Sequence, residues 1–170
     1  MKSVAYAVLP TLALLSISTT PVSAQSLKSE IVGTWVVTDL ANKRANGTET
    51  HPWGKDVTGR FIYGADGSYT QVQIGEKQAA FKTDEVRRPD SFLVVQIGTY
   101  TVDPDNKTVH VKVRRAGNSV RDGLEFADTV ALNGDQMTVT GAPRQDKDGQ
   151  FQPIQILRRF KPEDRTATTK

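Results

Sequence analysis

From Ile31 onward the chain is a succession of short runs in which apolar and polar residues alternate, separated by glycine, proline, asparagine and aspartate. Ile31 to Leu40 is rich in Val, Ile, Thr and Trp, residue types that suit a pleated, half-buried surface. Ile31, Gly33, Trp35 and Val37 would share one face of that strand, and Asn42 to Gly47 interrupts it. Thr58 to Tyr63 and Ser68 to Ile74 flank Ala65-Asp66-Gly67, a short Asp-Gly loop whose glycine accepts the positive φ of a hairpin turn. Gly98 to Val102 and Thr108 to Arg114 flank Asp103 to Lys107. In the second of these, Val109, Val111 and Val113 oppose His110, Lys112 and Arg114, the strict alternation of a strand between two environments. Leu124 to Leu132 gathers Leu124, Phe126, Val130 and Leu132 on one face, with Asp128 as the odd member. Asn133-Gly134 turns into Met137 to Thr140, and Asp148-Gly149 into Phe151 to Phe160. The charged stretch from Glu76 to Asp90 differs and fits a short helix or a long flap.

The pattern predicts an all-β domain of about eight strands joined by short connections, hence antiparallel neighbours. Such a sheet must protect its edges. Closure into an up-and-down barrel does so completely, and a β-sandwich is the alternative.

The first residues read as an address rather than a fold. Lys2, an apolar run from Val4 to Ile17, and Val22-Ser23-Ala24 before Gln25 follow the order of a secretory signal peptide over residues 1–24. The run is shorter than the roughly 18 residues of a membrane span. The expected product is therefore a periplasmic or secreted protein, a single domain over 25–162 with a frayed tail over 163–170, and no stable membrane insertion. The chain has no cysteine, so neither a disulfide nor a lipidated cysteine is available. Asn46-Gly47-Thr48 and Asn106-Lys107-Thr108 match the glycosylation triplet and equally suit turns. A net charge of +3 and basic pairs scattered among acids do not make the patch of a nucleic-acid binder.

Gly33-Thr34-Trp35 matches the Gly-x-Trp with which lipocalins open their first strand. Pro52-Trp53-Gly54-Lys55-Asp56, Gly59-Arg60-Phe61-Ile62-Tyr63, Ala65-Asp66-Gly67 and Gly98-Thr99-Tyr100 extend the likeness. Taken together the chain resembles the bacterial and fungal lipocalin-like domain family from about Ile31 to Phe160. It departs at Val57, where Pro is frequent, and at Tyr69 and Thr70, where Met is frequent. The resemblance implies an antiparallel barrel of about eight to ten strands. It also implies that Trp35 plugs the closed end beneath an arginine of the last strand, Arg158 or Arg159, with Gly33 in a structural role. The resemblance implies a carrier of apolar ligands; the alternatives are an isomerase or cyclase acting in the same cavity, or a barrel packed full with a structural or stress-related role.

The expected partner is a small hydrophobic or amphipathic molecule held by a monomer or weak homodimer. Its candidate contacts are Trp53, Tyr63, Tyr69, Tyr100 and Phe126, each an apolar body, three of them with a phenolic handle. Asp128 and His110 are candidate acid or base groups, Glu125 a weaker one. A carboxylate on an apolar face is costly unless paired, so Asp128 marks either a polar cavity wall or a bulge that exposes it. His110 faces solvent if the valines beside it form the core, and the lumen if they pack outside. Two histidines without HxH or HExxH spacing predict no metal site. The absence of a phosphate loop, dinucleotide fingerprint or Gly-x-Ser-x-Gly elbow predicts no cofactor.

Overall fold

The computed structural model describes residues 27–76 and 92–165. The leader expected over 1–24, nearly all of the charged segment from Glu76 to Asp90, and residues 166–170 of the tail lie outside the described residues.

Eight antiparallel strands close on themselves. In spatial order they are β1 (Gly33–Arg44), β3 (Thr58–Tyr63), β4 (Ser68–Ile74), β5 (Leu93–Asp103), β6 (Thr108–Ala116), β7 (Glu125–Asn133), β8 (Gln136–Thr140) and β10 (Gly149–Arg159), with β10 paired back onto β1. Two short strands, β2 (Glu49–Thr50) on β1 and β9 (Arg144–Asp146) on β10, extend one end. Closure gives each of the eight barrel strands a neighbour on both sides, which settles barrel over sandwich. A short helix, α1 (Leu27–Ile31), precedes β1.

The first strand differs from its expected limits. Ile31 ends α1, and β1 begins at Gly33 and continues through the supposed break at Asn42 as far as Arg44. Low β-propensity in Ala41-Asn42-Lys43 is overridden by pairing, since Asn42 to Arg44 match Pro153 to Phe151 of β10. Arg44 is clamped further by Asp146 at 2.7 Å and the Gly149 carbonyl at 3.0 Å. A bulge between Val37 and Asp39 changes which residues face inward. Before it Trp35 and Val37 are buried, and after it Leu40 and Asn42 face the lumen.

One end of the barrel is packed shut. Trp35 is fully buried, and its indole N–H donates to the Ile31 carbonyl at 2.8 Å. The Arg159 guanidinium lies 4.3 Å above the indole ring and donates to the Val32 and Glu30 carbonyls at 3.1 and 2.7 Å. It thus caps α1 while contributing a cation–π contact of about 0.5–2 kcal/mol. Gly33 holds φ at +132°, and a Cβ there would stand 3.1 Å from Arg159 Nη1. Both backbone angle and space select glycine. Arg158, one residue earlier, faces outward and pairs with Asp164 at 2.8 Å. Asp164 also accepts from the Lys161 amide at 2.7 Å within the 3-10 turn Pro162–Arg165, so three residues of the expected tail, 163–165, are part of this turn.

Candidate functional site

The opposite end holds a cavity of about 660 Å3. Its apolar wall comes from Leu40, Trp53, Phe61, Phe126, Phe151 and Pro153. Period-two alternation places these residues. On β7, Phe126, Asp128, Val130 and Leu132 face inward while Glu125, Ala127, Thr129 and Ala131 face out. Trp53 reaches the rim from the loop after β2. That loop is fixed by the Gly54 amide bonding to the His51 carbonyl (3.1 Å) and by the Glu76 amide bonding to the Trp53 carbonyl (2.9 Å). Gly54 takes φ +86° to make the turn, and the Trp53 ring packs on Phe92 with centroids 5.8 Å apart.

The cavity floor is polar. Strand β4 turns Tyr69, Gln71 and Gln73 inward and leaves Val72 and Ile74 outside, the reverse of a usual barrel strand. Gln71, Gln73 and Gln96 are buried, which is costly without partners, and all are bonded. The Arg121 Nε–H donates to Gln96 Oε1 at 2.9 Å, and Gln96 Nε2 donates to Gln71 Oε1 at 2.7 Å. Gln71 Nε2 donates to Gln73 Oε1 at 2.5 Å, and Gln73 Nε2 to Gln155 Oε1 at 2.7 Å. The Tyr69 hydroxyl donates to Gln71 Oε1 at 2.8 Å. A guanidinium can only donate, so Arg121 dictates the orientation of every amide in the series. The ladder runs from β5 across β4 to β10 and divides the lumen into a packed half and an open half.

The packed half holds the three tyrosines. Tyr63 lies 5.4 Å from Tyr69 and 5.1 Å from Tyr100, ring centroid to centroid, and Phe61 lies 6.2 Å from Tyr69. Tilted and edge-on pairs of this kind each add about 0.5–1.5 kcal/mol beyond burial. Burial pushes the phenols of Tyr63 and Tyr69 far above their ordinary range. Tyr100 donates to the Gly64 carbonyl at 2.9 Å. Expected as ligand contacts, Tyr63, Tyr69 and Tyr100 instead fill core below the amide ladder, because their strands present them toward the closed end. Of the five expected contacts, Trp53 and Phe126 wall the cavity.

Asp128 also faces it. Its register with Val109 is regular, without the bulge that would have exposed it. A Cβ added at Gly141 would stand 3.5 Å from its carboxyl. Burial raises its pKa to about 6, opposed by the charge of Arg144. His110 is elsewhere. Val109, Val111 and Val113 are core, so His110 takes the solvent-facing placement of the two its alternation allows, exposed on the outer face beside Lys112 and Glu125 and away from the cavity. Glu125 pairs with Lys112 at 2.7 Å on that face. Among the described residues, no three His, Cys, Asp or Glu side chains converge as a metal site requires.

A family model described as "Lipocalin-like domain" matches residues 32–159. The chain belongs to the lipocalin-like domain family. No curated protein matches it. A lipocalin-like barrel with one end plugged and the other hollow suits hydrophobic ligands in general.

Sequence reading missed the amide ladder and the arginines beside it: Gln71, Gln73, Gln96, Gln155, Arg121 and Arg144. A signal for two of them existed. With Tyr69 inward, alternation forces Gln71 and Gln73 inward as well, and two amides on an inner face announce a polar lumen. Arg121 and Arg144 lie in or beside connections, where periodicity carries no direction.

Proposed function

We propose that this lipocalin-like protein is an exported carrier that holds an apolar or amphipathic small molecule in the open half of its barrel. The observation that carries the reading is the 660 Å3 cavity walled by Leu40, Trp53, Phe61, Phe126 and Phe151. That volume lies within the roughly 300–1,000 Å3 range of small-molecule sites, and its mix of aromatic wall and few polar groups is typical of them. Export is supported by the leader-like composition of residues 1–24.

The test uses the two tryptophans. Titration with the neutral probe N-phenyl-1-naphthylamine is expected to enhance the probe's emission and quench Trp53 but not the sealed Trp35, and Trp53→Phe should remove the quenching. Absence of probe binding by the wild-type protein would refute the carrier reading. Mass spectrometry of the protein recovered from outside the cytoplasm should find Gln25 as its first residue.

One observation favours a second reading, an isomerase or cyclase acting in the same cavity. Asp128 lies in the wall with no hydrogen bond or ion pair among the described residues, and its pKa of about 6 suits proton transfer near neutrality. Incubating polyenes with wild type and Asp128→Asn tests it. Turnover lost in the variant supports the enzyme, and no turnover by the wild type refutes it.

A further inference from the structure

This inference rests on the carrier reading and names the chemical class of the ligand. Among the described residues, the polar groups at the cavity mouth are donors short of acceptors. Arg121 uses its Nε–H on Gln96, and its two terminal NH2 groups meet no acceptor among the described residues. Its burial is about half, deep enough to oppose its charge, and the neighbouring Arg144 opposes it further. Arg144 itself enters no ion pair or hydrogen bond through its side chain among the described residues, and it lines the same cavity. The amide oxygens nearby are already occupied, each by the donor before it in the ladder.

Two carboxyls lie among the described lining residues, and neither forms an ion pair with Arg121 or Arg144, although the Arg144 charge acts on Asp128 from a distance. Glu125 is committed to Lys112 outside. Asp128 forms no ion pair with Arg121 or Arg144, and burial rather than pairing governs it. Counted over the described lining residues outside the Glu125–Lys112 pair, the mouth carries a net single positive charge with Asp128 ionised and a double one with Asp128 protonated. A half-buried guanidinium without a counter-ion is costly, and the fork of an arginine fits two oxygens of one planar group.

We propose that the ligand is an amphipathic monocarboxylate, its head group held at the mouth between Arg121 and Arg144 and its hydrocarbon part lying against Phe61, Phe126 and Phe151. The single net charge at the mouth favours a monoanion over a phosphate dianion. The aromatic wall supplies the apolar half of the recognition.

The test compares tetradecanoate, tetradecanol and tetradecyl phosphate on the full-length mature protein, each displacing N-phenyl-1-naphthylamine. The carboxylate is expected to bind about tenfold more tightly than the alcohol, the gain of one charge-assisted head-group contact. Arg121→Met and Arg144→Gln should each narrow that acid-over-alcohol ratio to about threefold or less. Arg144→Gln matters most for interpretation, because Arg144 is exposed, lies outside the amide ladder, and can be replaced without disturbing the core. Equal binding of acid and alcohol, or an unchanged ratio in Arg144→Gln, overturns the head-group assignment while leaving the carrier reading intact. Tighter binding of the phosphate overturns the monocarboxylate class. Displacement by none of the three, with the probe itself bound, likewise overturns this inference alone, whereas failure of the probe overturns the carrier reading with it.

Discussion

Replacing Asp128 by Asn tests how the cavity wall is built. The two side chains have nearly the same shape, but only one ionises. In the fold the Asp128 pKa rises from its ordinary 3.8 to about 6, mainly through desolvation, with Arg144 pulling the other way. A carboxyl of raised pKa favours the folded state while both states are protonated, and that advantage disappears as pH climbs through the folded pKa. Asp128 therefore costs nothing below about pH 3.8, costs increasingly more between about pH 4 and 6, and reaches a constant cost above that. The full gap corresponds to about 3 kcal/mol, and water in an open cavity brings the expected value to about 1–3 kcal/mol. The charged and titrating groups around it are Arg144, Arg121, Tyr63 and Tyr69. A guanidinium cannot be deprotonated in a protein and a buried phenol stays neutral across this window, so the pH dependence of the difference belongs to Asp128 itself. Urea unfolding followed by far-UV circular dichroism should find Asp128→Asn more stable by about 1–3 kcal/mol near pH 7.5 and nearly equal to wild type near pH 4. A variant less stable near pH 7.5 would show that the carboxylate is paired, and a difference independent of pH would show that folding leaves its proton affinity unchanged; either result would overturn the account of the wall.

Arg159→Met removes the cation over Trp35 and two hydrogen bonds to the carbonyls before β1, and thermal unfolding should report a loss of about 2–4 kcal/mol. Gly33→Ala meets both the +132° φ and the Arg159 guanidinium 3.1 Å away. It should cost about 1–3 kcal/mol by urea unfolding, and a cost near zero would argue against the plug geometry. Gln96→Leu strands the Arg121 Nε–H and takes one donor from Gln71. A loss of about 1–3 kcal/mol is expected, with faster amide exchange around Ser119 to Gly123, and an unchanged protein would mean that the ladder carries no stability.

The parts of this molecule that could be read from sequence are those where one residue has one partner. Alternation in Val109 to Val113 divided β6 into two faces, burial then showing which is inner, and the likeness of Gly33 and Trp35 to the family's opening motif located the plug. Asp128 was visible as a charge in an apolar row, although only the register with Val109 showed that no bulge rescues it. The choice between Arg158 and Arg159 needed the pairing of Trp35 with Arg159 in the sheet. The tyrosines were misplaced for a related reason. Alternation tells inside from outside, but not depth along the barrel, and depth separates a ligand contact from packing. The amide ladder was hidden because glutamine in a strand ordinarily signals solvent, and here the partners come from β4, β5 and β10 at once.

The irregularity between Val37 and Asp39 has a consequence for how this barrel tolerates change. It splices two strand segments of opposite phase, one belonging to the stopper and one to the vessel above it. Excising the extra residue, Thr38, would join Val37 to Asp39 in unbroken alternation and leave Leu40 and Asn42 inward opposite Gln155 and Pro153, with Trp35 and its arginine still seated. Stopper and vessel would both survive that loss, whereas straightening the strand with Thr38 retained would turn Leu40 to water and Ala41 and Lys43 into the lumen.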